Sequence, residues 1–173
     1  MDMREQKGVT FIEMLVVMAI LCIVTAAGTL SLNEYAQRTK LRTAGEKVAS
    51  ALREARWIAR TSGAMCTIKF DPSEGAYAIN EMTEAKLPKG ISFGADSSVT
   101  GKPSQPSDPP PADGISFGTG SSKNLARYYP TGTVVPTGAV YLTNGKSTIA
   151  VTVAITGRPK LWRSGGGNKW VPI

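Results

Sequence analysis

The stretch Lys7-Gly8-Val9-Thr10-Phe11-Ile12-Glu13 opens a long apolar segment that carries one acid near its start, and it decides how the first part of the chain folds. The twenty residues that follow, Met14 to Asn33, carry no charge. At a rise of ~1.5 Å per residue they form about 30 Å of helix, which is the hydrocarbon thickness of a bilayer. The segment therefore predicts a transmembrane helix over residues 9–33.

A cleaved secretory signal is the alternative interpretation of this segment. The apolar core of such a signal is usually only ~7 to 15 residues and ends at an Ala-x-Ala-like site. The run here is longer, and Glu13 lies near its start. A carboxylate at mid-membrane costs about 2 to 3 kcal/mol on insertion scales and less near an interface, so we expect Glu13 to have a partner or to lie close to the headgroups.

Cleavage after Gly8 would create that partner. Val9 would then carry a free α-amine, and Glu13 lies at i+4 from it on the same helix face. Within one helix, or between neighbouring helices staggered by about a turn, the two charges would neutralise each other where an unpaired charge is costly. Such a pair would set the register of an assembly.

These residues resemble the class III signal peptide of type IV pilins and pseudopilins. In that family a short leader ends in Gly and is followed by a hydrophobic residue, Thr, two apolar residues and Glu, as in Gly8 to Glu13 here. Val9 stands where Phe or Met is commoner. The helix-breaking Pro of many major pilins is absent from the distal half of the span, although Gly28 stands nearby and would loosen the helix.

The resemblance implies a route for the protein. Residues 1–8 would be a prepilin leader that a prepilin peptidase removes by cutting between Gly8 and Val9, with N-methylation of the new Val9 amine. An inner-membrane assembly platform would then add the subunit to other pilin or pseudopilin subunits, with Glu13 required for assembly. The protein would start as a single-pass protein of the bacterial inner membrane, with its globular domain in the periplasm, and move into a pilus or pseudopilus.

Apolar residues recur every three or four positions between Asn33 and about Ser62, which predicts an amphipathic helix over residues 34–62 packed on a sheet. The predicted buried stripe is Leu41, Ala44, Val48, Leu52, Ala55 and Ala59. The other faces carry seven basic side chains and three glutamates, which form either a solvated face with ion pairs or a contact with neighbouring subunits. The basic residues are Arg38, Lys40, Arg42, Lys47, Arg53, Arg56 and Arg60.

Residues 63–173 have the pattern of short strands, so the predicted fold class is α+β, with one long N-terminal helix packed on an antiparallel sheet. Alternation predicts a hairpin from 66–70 and 77–80, and Asn144-Gly145 is a strong turn before the expected longest strand, 148–155. Shorter strands are predicted at 91–93, 115–117, 134–135 and 139–143. Residues 101–113 contain five prolines and predict an exposed loop.

The order of these elements, with Tyr129-Pro130-Thr131-Gly132 and Thr156-Gly157-Arg158, resembles the minor pseudopilin group usually called GspH/FimT. The resemblance implies a structural subunit that initiates or caps the pseudopilus of a type II secretion system or a type IV pilus.

Charge is distributed unevenly along the chain. Residues 1–113 contain thirteen basic and thirteen acidic side chains, whereas residues 114–173 contain seven basic side chains and no acid, so the net charge of +7 lies in the last sixty residues. If 158–162 is extended, Arg158, Lys160 and Trp162 lie on one side, and Pro159 favours an edge strand. With Arg163 these are the candidate DNA-binding residues, because cations and an indole can contact phosphate and base.

Gly157-Arg158-Pro159-Lys160 is similar to the Gly-Arg-x-Arg motif of DNA-uptake pilins in the group, although Lys160 lacks the bidentate fork of a second arginine. The resemblance implies DNA as a possible partner. The alternative is that these cations keep the domain soluble or contact an acidic neighbour in a filament.

Catalysis and metal binding are not supported by the residues. The chain has no histidine, and its two cysteines, Cys22 and Cys66, are too far apart for a zinc-binding motif. Cys22 lies in the predicted span and Cys66 beyond it, so we expect no disulfide. We therefore expect a non-enzymatic protein with no cofactor.

Overall fold

The computed structural model describes residues 9–103, 105, 107–118 and 120–173, leaving aside the side chains of residues 26–32, 83 and 121. The predicted leader 1–8, including Gly8, lies outside the described residues. The chain forms two compact units, one up to Gln37 and one from Arg38 to Ile173. Helix α1, Phe11–Ser62, contributes to both.

Thr10 caps the start of α1. The backbone N–H of Glu13 donates to the Thr10 carbonyl at 3.1 Å and to its side-chain oxygen Oγ1 at 3.3 Å. Thr10-Phe11-Ile12-Glu13 thus has the Thr-x-x-Glu pattern of a capping box, which satisfies N–H groups that have no partner inside the helix. An acid in this first turn is also favoured by the helix dipole.

The first unit presents an apolar surface. Twelve large apolar side chains between Val9 and Val24 are exposed. Contiguous apolar patches of this kind mark surfaces that contact protein or lipid. Across the residues that the structure describes, no helix is both long enough and apolar enough to cross a membrane, so the single pass over 9–33 remains a prediction.

The second unit packs the C-terminal part of α1 against two antiparallel sheets. The first sheet has the strand order β3-β2-β1-β5-β6 and the second β10-β9-β8-β7-β4. The described strands are β1 (Cys66–Asp71), β2 (Ala76–Ile79), β3 (Thr83–Lys86), β4 (Ser92–Phe93), β5 (Leu125–Tyr128), β6 (Val134–Val135), β7 (Gly138–Thr143), β8 (Thr148–Val153), β9 (Pro159–Ser164) and β10 (Trp170–Pro172). This arrangement confirms the α+β class, a long N-terminal helix on antiparallel sheets.

A single core joins the helix to both sheets. All six residues of the predicted stripe of α1 are buried in it. Gly45 lies so close to the second sheet that a Cβ atom there would be 3.0 Å from Cγ2 of Ile149. Phe70 stacks on Phe117 with ring centroids 5.9 Å apart and meets Phe93 edge to face at 6.1 Å. The small residues of the stripe thus allow a close contact between helix and sheet.

Both predicted hairpins are confirmed. β1 and β2 pair in antiparallel register, with Ile68 opposite Ile79. The Asn144-Gly145 turn joins β7 to β8. The expectation that 148–155 is the longest strand is wrong, because β8 ends at Val153 and has six residues, like β1, β7 and β9. The chain turns there, with the N–H of Gly157 donating to the Ala154 carbonyl at 2.8 Å.

The prediction of an edge strand at Pro159 is also wrong. β9 lies inside its sheet, between β8 and β10. Proline is tolerated because it is the first residue of the strand, and β10 pairs only with residues 162–164 at the other end. The predicted strand 115–117 is reduced to an isolated bridge between Ile115 and Val140.

The proline-rich segment, expected to be exposed, is partly packed. Its described residues form no helix or strand, but Gly101 is buried and its carbonyl accepts a 2.8 Å hydrogen bond from the indole Nε1 of Trp170. Lys102 and Asp108 form an ion pair. The segment lies beside a second apolar cluster, on the face of the second sheet that points away from α1, formed by Ala139, Tyr141, Ala150, Trp162 and Trp170.

Candidate functional site

The predicted processing and assembly residues lie at the start of α1. Val9 is exposed and directly precedes the capping residue Thr10, whereas Gly8 lies outside the described residues. Glu13 is exposed one helical turn after Val9. Its carboxylate forms no ion pair within the described part of the chain. The carboxylate is therefore placed where a partner from outside this unit can reach it.

The four candidate DNA-binding residues do not share one surface. Arg158 lies in the turn before β9 and faces α1, together with Pro159. Lys160 and Trp162 point to the opposite face of the sheet, because Leu161 between them packs on the main core. Arg163 follows Leu161 by two residues and lies on the α1 side of β9, opposite Ile149. The prediction that Arg158, Lys160 and Trp162 lie on one side is wrong, since the extended strand begins only at Pro159.

Trp162 is held by packing within the protein. Its indole Nε1 donates to Oγ1 of Thr152 at 2.9 Å. Its ring is partly buried against Tyr141 and Ala150. The ring therefore serves the fold of the second sheet and is poorly placed to stack on a base.

Arg158 instead belongs to a groove between α1 and the turn that precedes β9, which we call the arginine groove. On α1, Arg53, Arg56, Trp57 and Arg60 follow the spacing i, i+3, i+4 and i+7, so they share one helix face. The groove has a volume of about 700 Å³. Its lining residues are Arg53, Arg56, Trp57, Arg60, Thr61, Arg158 and Pro159.

Two glycines from separate loops lie against Arg56 in this groove. Its Nε donates to the Gly132 carbonyl at 2.9 Å. A Cβ atom at Gly132 would lie 3.2 Å from this Nε and 2.9 Å from Cδ of Arg60. At Gly157 a Cβ atom would lie 2.2 Å from the Gly132 carbonyl oxygen and 3.2 Å from Nε of Arg56. Both glycines have positive φ, +80° and +71°, so backbone conformation and space both require glycine.

The two loop motifs of the sequence thus meet beneath Arg56. Gly132 ends Tyr129-Pro130-Thr131-Gly132, and Gly157 is the centre of Thr156-Gly157-Arg158. The N–H of Val134 donates to the Ile155 carbonyl at 3.2 Å, which ties the two loops together. The Tyr128 ring packs beneath Gly157, and burial raises the pKa of its hydroxyl.

The groove carries four guanidinium groups and no carboxylate. Glu54 directly follows Arg53 in the sequence but does not line the groove. Burial raises the pKa of both Cys66 and Tyr77, and the negative charge of Glu54 raises both further. Among the described residues, none of the four arginines forms an ion pair. Arginine presents a planar fork that matches phosphate and carboxylate, so the groove is suited to a polyanion.

No group of three or more His, Cys, Asp or Glu side chains suited to a metal ion occurs among the described residues. Cys22 and Cys66 are both free thiols.

Comparison with known proteins adds one finding. Residues 3–29 match the family model described as the prokaryotic N-terminal methylation motif. The match supports a type IV pilin-like protein that is a substrate of prepilin peptidase, and pilin-like proteins with this motif are structural. No curated protein matches the chain significantly. No solved structure does so either.

Sequence reasoning missed the helix part of the groove. It leaves the seven basic residues of α1 as a solvated face or a filament contact, and it gives Trp57 no role. The i, i+3, i+4, i+7 spacing of Arg53 to Arg60 is visible in the sequence. What the sequence does not contain is the tertiary contact that brings Arg158 beside these residues.

Replacing Gly157 by alanine tests whether the glycine contact supports the groove. We expect Gly157→Ala to lower the free energy of unfolding by more than Gly145→Ala, as measured by urea denaturation. Gly145 has a similar φ, +81°, but no atom lies within 4 Å of the position that its Cβ would take, so it reports the backbone strain of about 1 to 2 kcal/mol alone. Equal losses in the two variants would contradict the proposed role of the contact.

Proposed function

We propose that the chain is a minor pilin or pseudopilin subunit that initiates or caps the pseudopilus of a type II secretion system or a type IV pilus. The observation that carries this proposal is the N-terminal methylation motif at residues 3–29, which includes the exposed apolar residues of α1 up to Val24. Prepilin peptidase would cut between Gly8 and Val9, and methylation of the Val9 amine would follow. The globular unit would face the periplasm.

The exposed apolar side chains of α1 favour two successive environments. Each large apolar side chain gains about 1.5 to 3 kcal/mol when it is fully removed from water. Lipid of the inner membrane would supply this gain before assembly, with α1 as a single-pass anchor. Neighbouring subunit helices would supply it in the filament, after an assembly platform has drawn the subunit out of the membrane.

Glu13 would specify the register of this assembly. After cleavage, the positive Val9 amine of one subunit and the Glu13 carboxylate of its neighbour would approach each other in an apolar environment. A charge that loses its partner there is strongly destabilising, by about 3 to 5 kcal/mol. Mispaired helices would therefore be rejected more strongly than by apolar packing alone.

Glu13→Gln tests this role without removing the cap. Glutamine keeps the hydrogen-bonding capacity of a capping box but has no charge. We expect Glu13→Gln to leave membrane insertion and leader cleavage intact and to abolish incorporation into filaments, as measured by immunoblotting of sheared filaments. Glu46→Gln is the matched control, because Glu46 is an exposed acid of the same helix that pairs with Arg42 on the surface. Normal incorporation of the Glu13→Gln subunit would contradict the charge-pairing proposal.

DNA binding is the second candidate function, and the arginine groove favours it. Four guanidinium groups in a groove that no carboxylate lines create a local field that attracts polyanions. In this function Arg158 keeps its predicted role as a DNA-binding residue. The residues that would bind DNA together with it are Arg53, Arg56 and Arg60 of the groove, in place of the predicted Lys160, Trp162 and Arg163. The subunit would then present a DNA-binding surface on a pilus used for DNA uptake.

The position of the cations gives a direct test. We expect the full-length protein in non-ionic detergent to bind DNA with an affinity that falls steeply with salt. Replacing both Arg53 and Arg158 by Gln should weaken binding and make the slope of log K against log salt shallower by up to about 0.9 per lost duplex phosphate contact. Fluorescence anisotropy of a labelled oligonucleotide would measure both effects.

Two matched variants locate the binding surface. Lys160→Gln removes a cation that points away from the groove, and Lys146→Gln removes one in the turn between β7 and β8. Each should weaken binding less than Arg158→Gln. An equal effect of Lys160→Gln and Arg158→Gln would favour a linear C-terminal motif over the groove.

A further inference from the structure

Among the described residues, the side chain of Trp57 neither packs in an apolar cluster nor donates a hydrogen bond, unlike the other two tryptophans. The residue is 65% exposed, and it belongs to neither apolar cluster. Trp162 and Trp170 are partly buried, and their indole N–H groups donate to Thr152 and Gly101. Tryptophan is enriched at interfaces, where a partner covers its apolar ring.

The charged groups around Trp57 limit what that partner can be. Arg53 and Arg60 lie one turn before and nearly one turn after it on the same helix face, and Arg56 is its immediate neighbour in sequence. The four positive groups of the arginine groove disfavour a cationic or purely apolar partner. A partner must therefore carry negative charges and also expose a flat apolar surface.

Unpaired nucleotides combine these two properties. In a duplex the base faces are stacked inside the helix, so an exposed indole on a protein surface meets only the sugar-phosphate backbone. In a single strand the phosphates remain available to arginines while the bases can stack on an aromatic ring. Sequence-independent single-strand sites use this combination of a basic groove and an aromatic platform.

We infer that the arginine groove is a single-strand site in which one base stacks on Trp57 and the flanking phosphates bind Arg53, Arg60 and Arg158. This inference rests on the proposed DNA-binding function and makes it more specific. Arg56 has a structural role in the groove. Its Nε donates a 2.9 Å hydrogen bond to the Gly132 carbonyl, which holds its guanidinium in place in the groove that Trp57 also lines.

The dimensions of the site suit a short segment of strand. Arg53 and Arg60 are separated by seven helical residues, or about 10 Å along the axis of α1. Arg158 and Pro159 form the opposite wall. The site therefore accommodates a few nucleotides and has no need of a particular base, because every base has a face that can stack.

The experiment compares a labelled oligo(dT) single strand with a duplex of the same length, at one low salt concentration, using the full-length protein in non-ionic detergent. We expect tighter binding of the single strand. Trp57→Ala should weaken single-strand binding about 5- to 150-fold, the range that corresponds to the loss of one stacked base, and should change duplex binding little. Trp57→Phe should restore part of the loss.

Controls separate stacking from charge and from folding. Lys146→Gln removes a cation in the turn between β7 and β8, at the end of β8 opposite to the end that pairs with Pro159, and should leave the preference for single strands unchanged. Trp57 is exposed, so Trp57→Ala should keep the unfolding midpoint of the parent protein.

Each remaining result has a distinct meaning. If the duplex binds as tightly as the single strand and Trp57→Ala affects neither, the single-strand inference is overturned while DNA binding stands. If neither oligonucleotide binds at low salt, the DNA-binding function fails, and the inference fails with it. Equal losses for Trp57→Ala on both oligonucleotides would also overturn stacking as the basis of recognition.

Discussion

The close packing of α1 against the second sheet is the contact on which the globular unit depends. Gly45 and the alanines of the buried stripe have little or no side chain, so α1 packs close to the second sheet: a Cβ atom at Gly45 would lie 3.0 Å from Cγ2 of Ile149. Farther along α1, Nε of Arg56 donates to the Gly132 carbonyl, in the loop between β5 and β6, at 2.9 Å. A larger side chain in the stripe would push α1 away from the sheets, and so away from Gly132 and Arg158. The core and the groove therefore depend on the same position of α1.

The start of α1 differs from its C-terminal part in the exposure of its apolar residues. There the apolar residues are exposed, and the Thr10 cap and Glu13 are the polar features of its first turn. A helix of this kind is suited to exchange one apolar environment for another, as a subunit that leaves a membrane for a filament must do. Glu13 also has a local place at the helix start, where its backbone N–H donates to Thr10 and the helix dipole favours its charge. The charge and the cap therefore need to be tested separately.

Local patterns predicted much of the fold. The stripe from Leu41 to Ala59, the hairpin from 66–70 and 77–80 and the Asn144-Gly145 turn all depend on residues close in sequence, and each lies where it is expected. β10 was not predicted, because a three-residue strand after three glycines has almost no local signal and exists through its pairing with β9. For the same reason the sequence favours an edge position for Pro159.

The candidate site was predicted only in part. Arg158 is identified by its loop motif, but its neighbours on α1 lie about a hundred residues earlier in the chain and are brought to it by the tertiary fold. The side that each residue of β9 faces depends on where the strand begins. Because β9 begins at Pro159, Arg158 precedes the strand and Lys160 is its second residue. The alternation of a strand predicts a face only after its first residue is known.

The central claim is that cleavage between Gly8 and Val9 creates the positive charge that Glu13 needs. Mass spectrometry of the N-terminal peptide tests this most directly, with the full-length protein expressed together with its own prepilin peptidase. The account predicts a mature chain that begins at Val9 and carries a methyl group on its amine. A chain that still begins at Met1, or one cut farther along the apolar segment as a secretory signal would be, would contradict it.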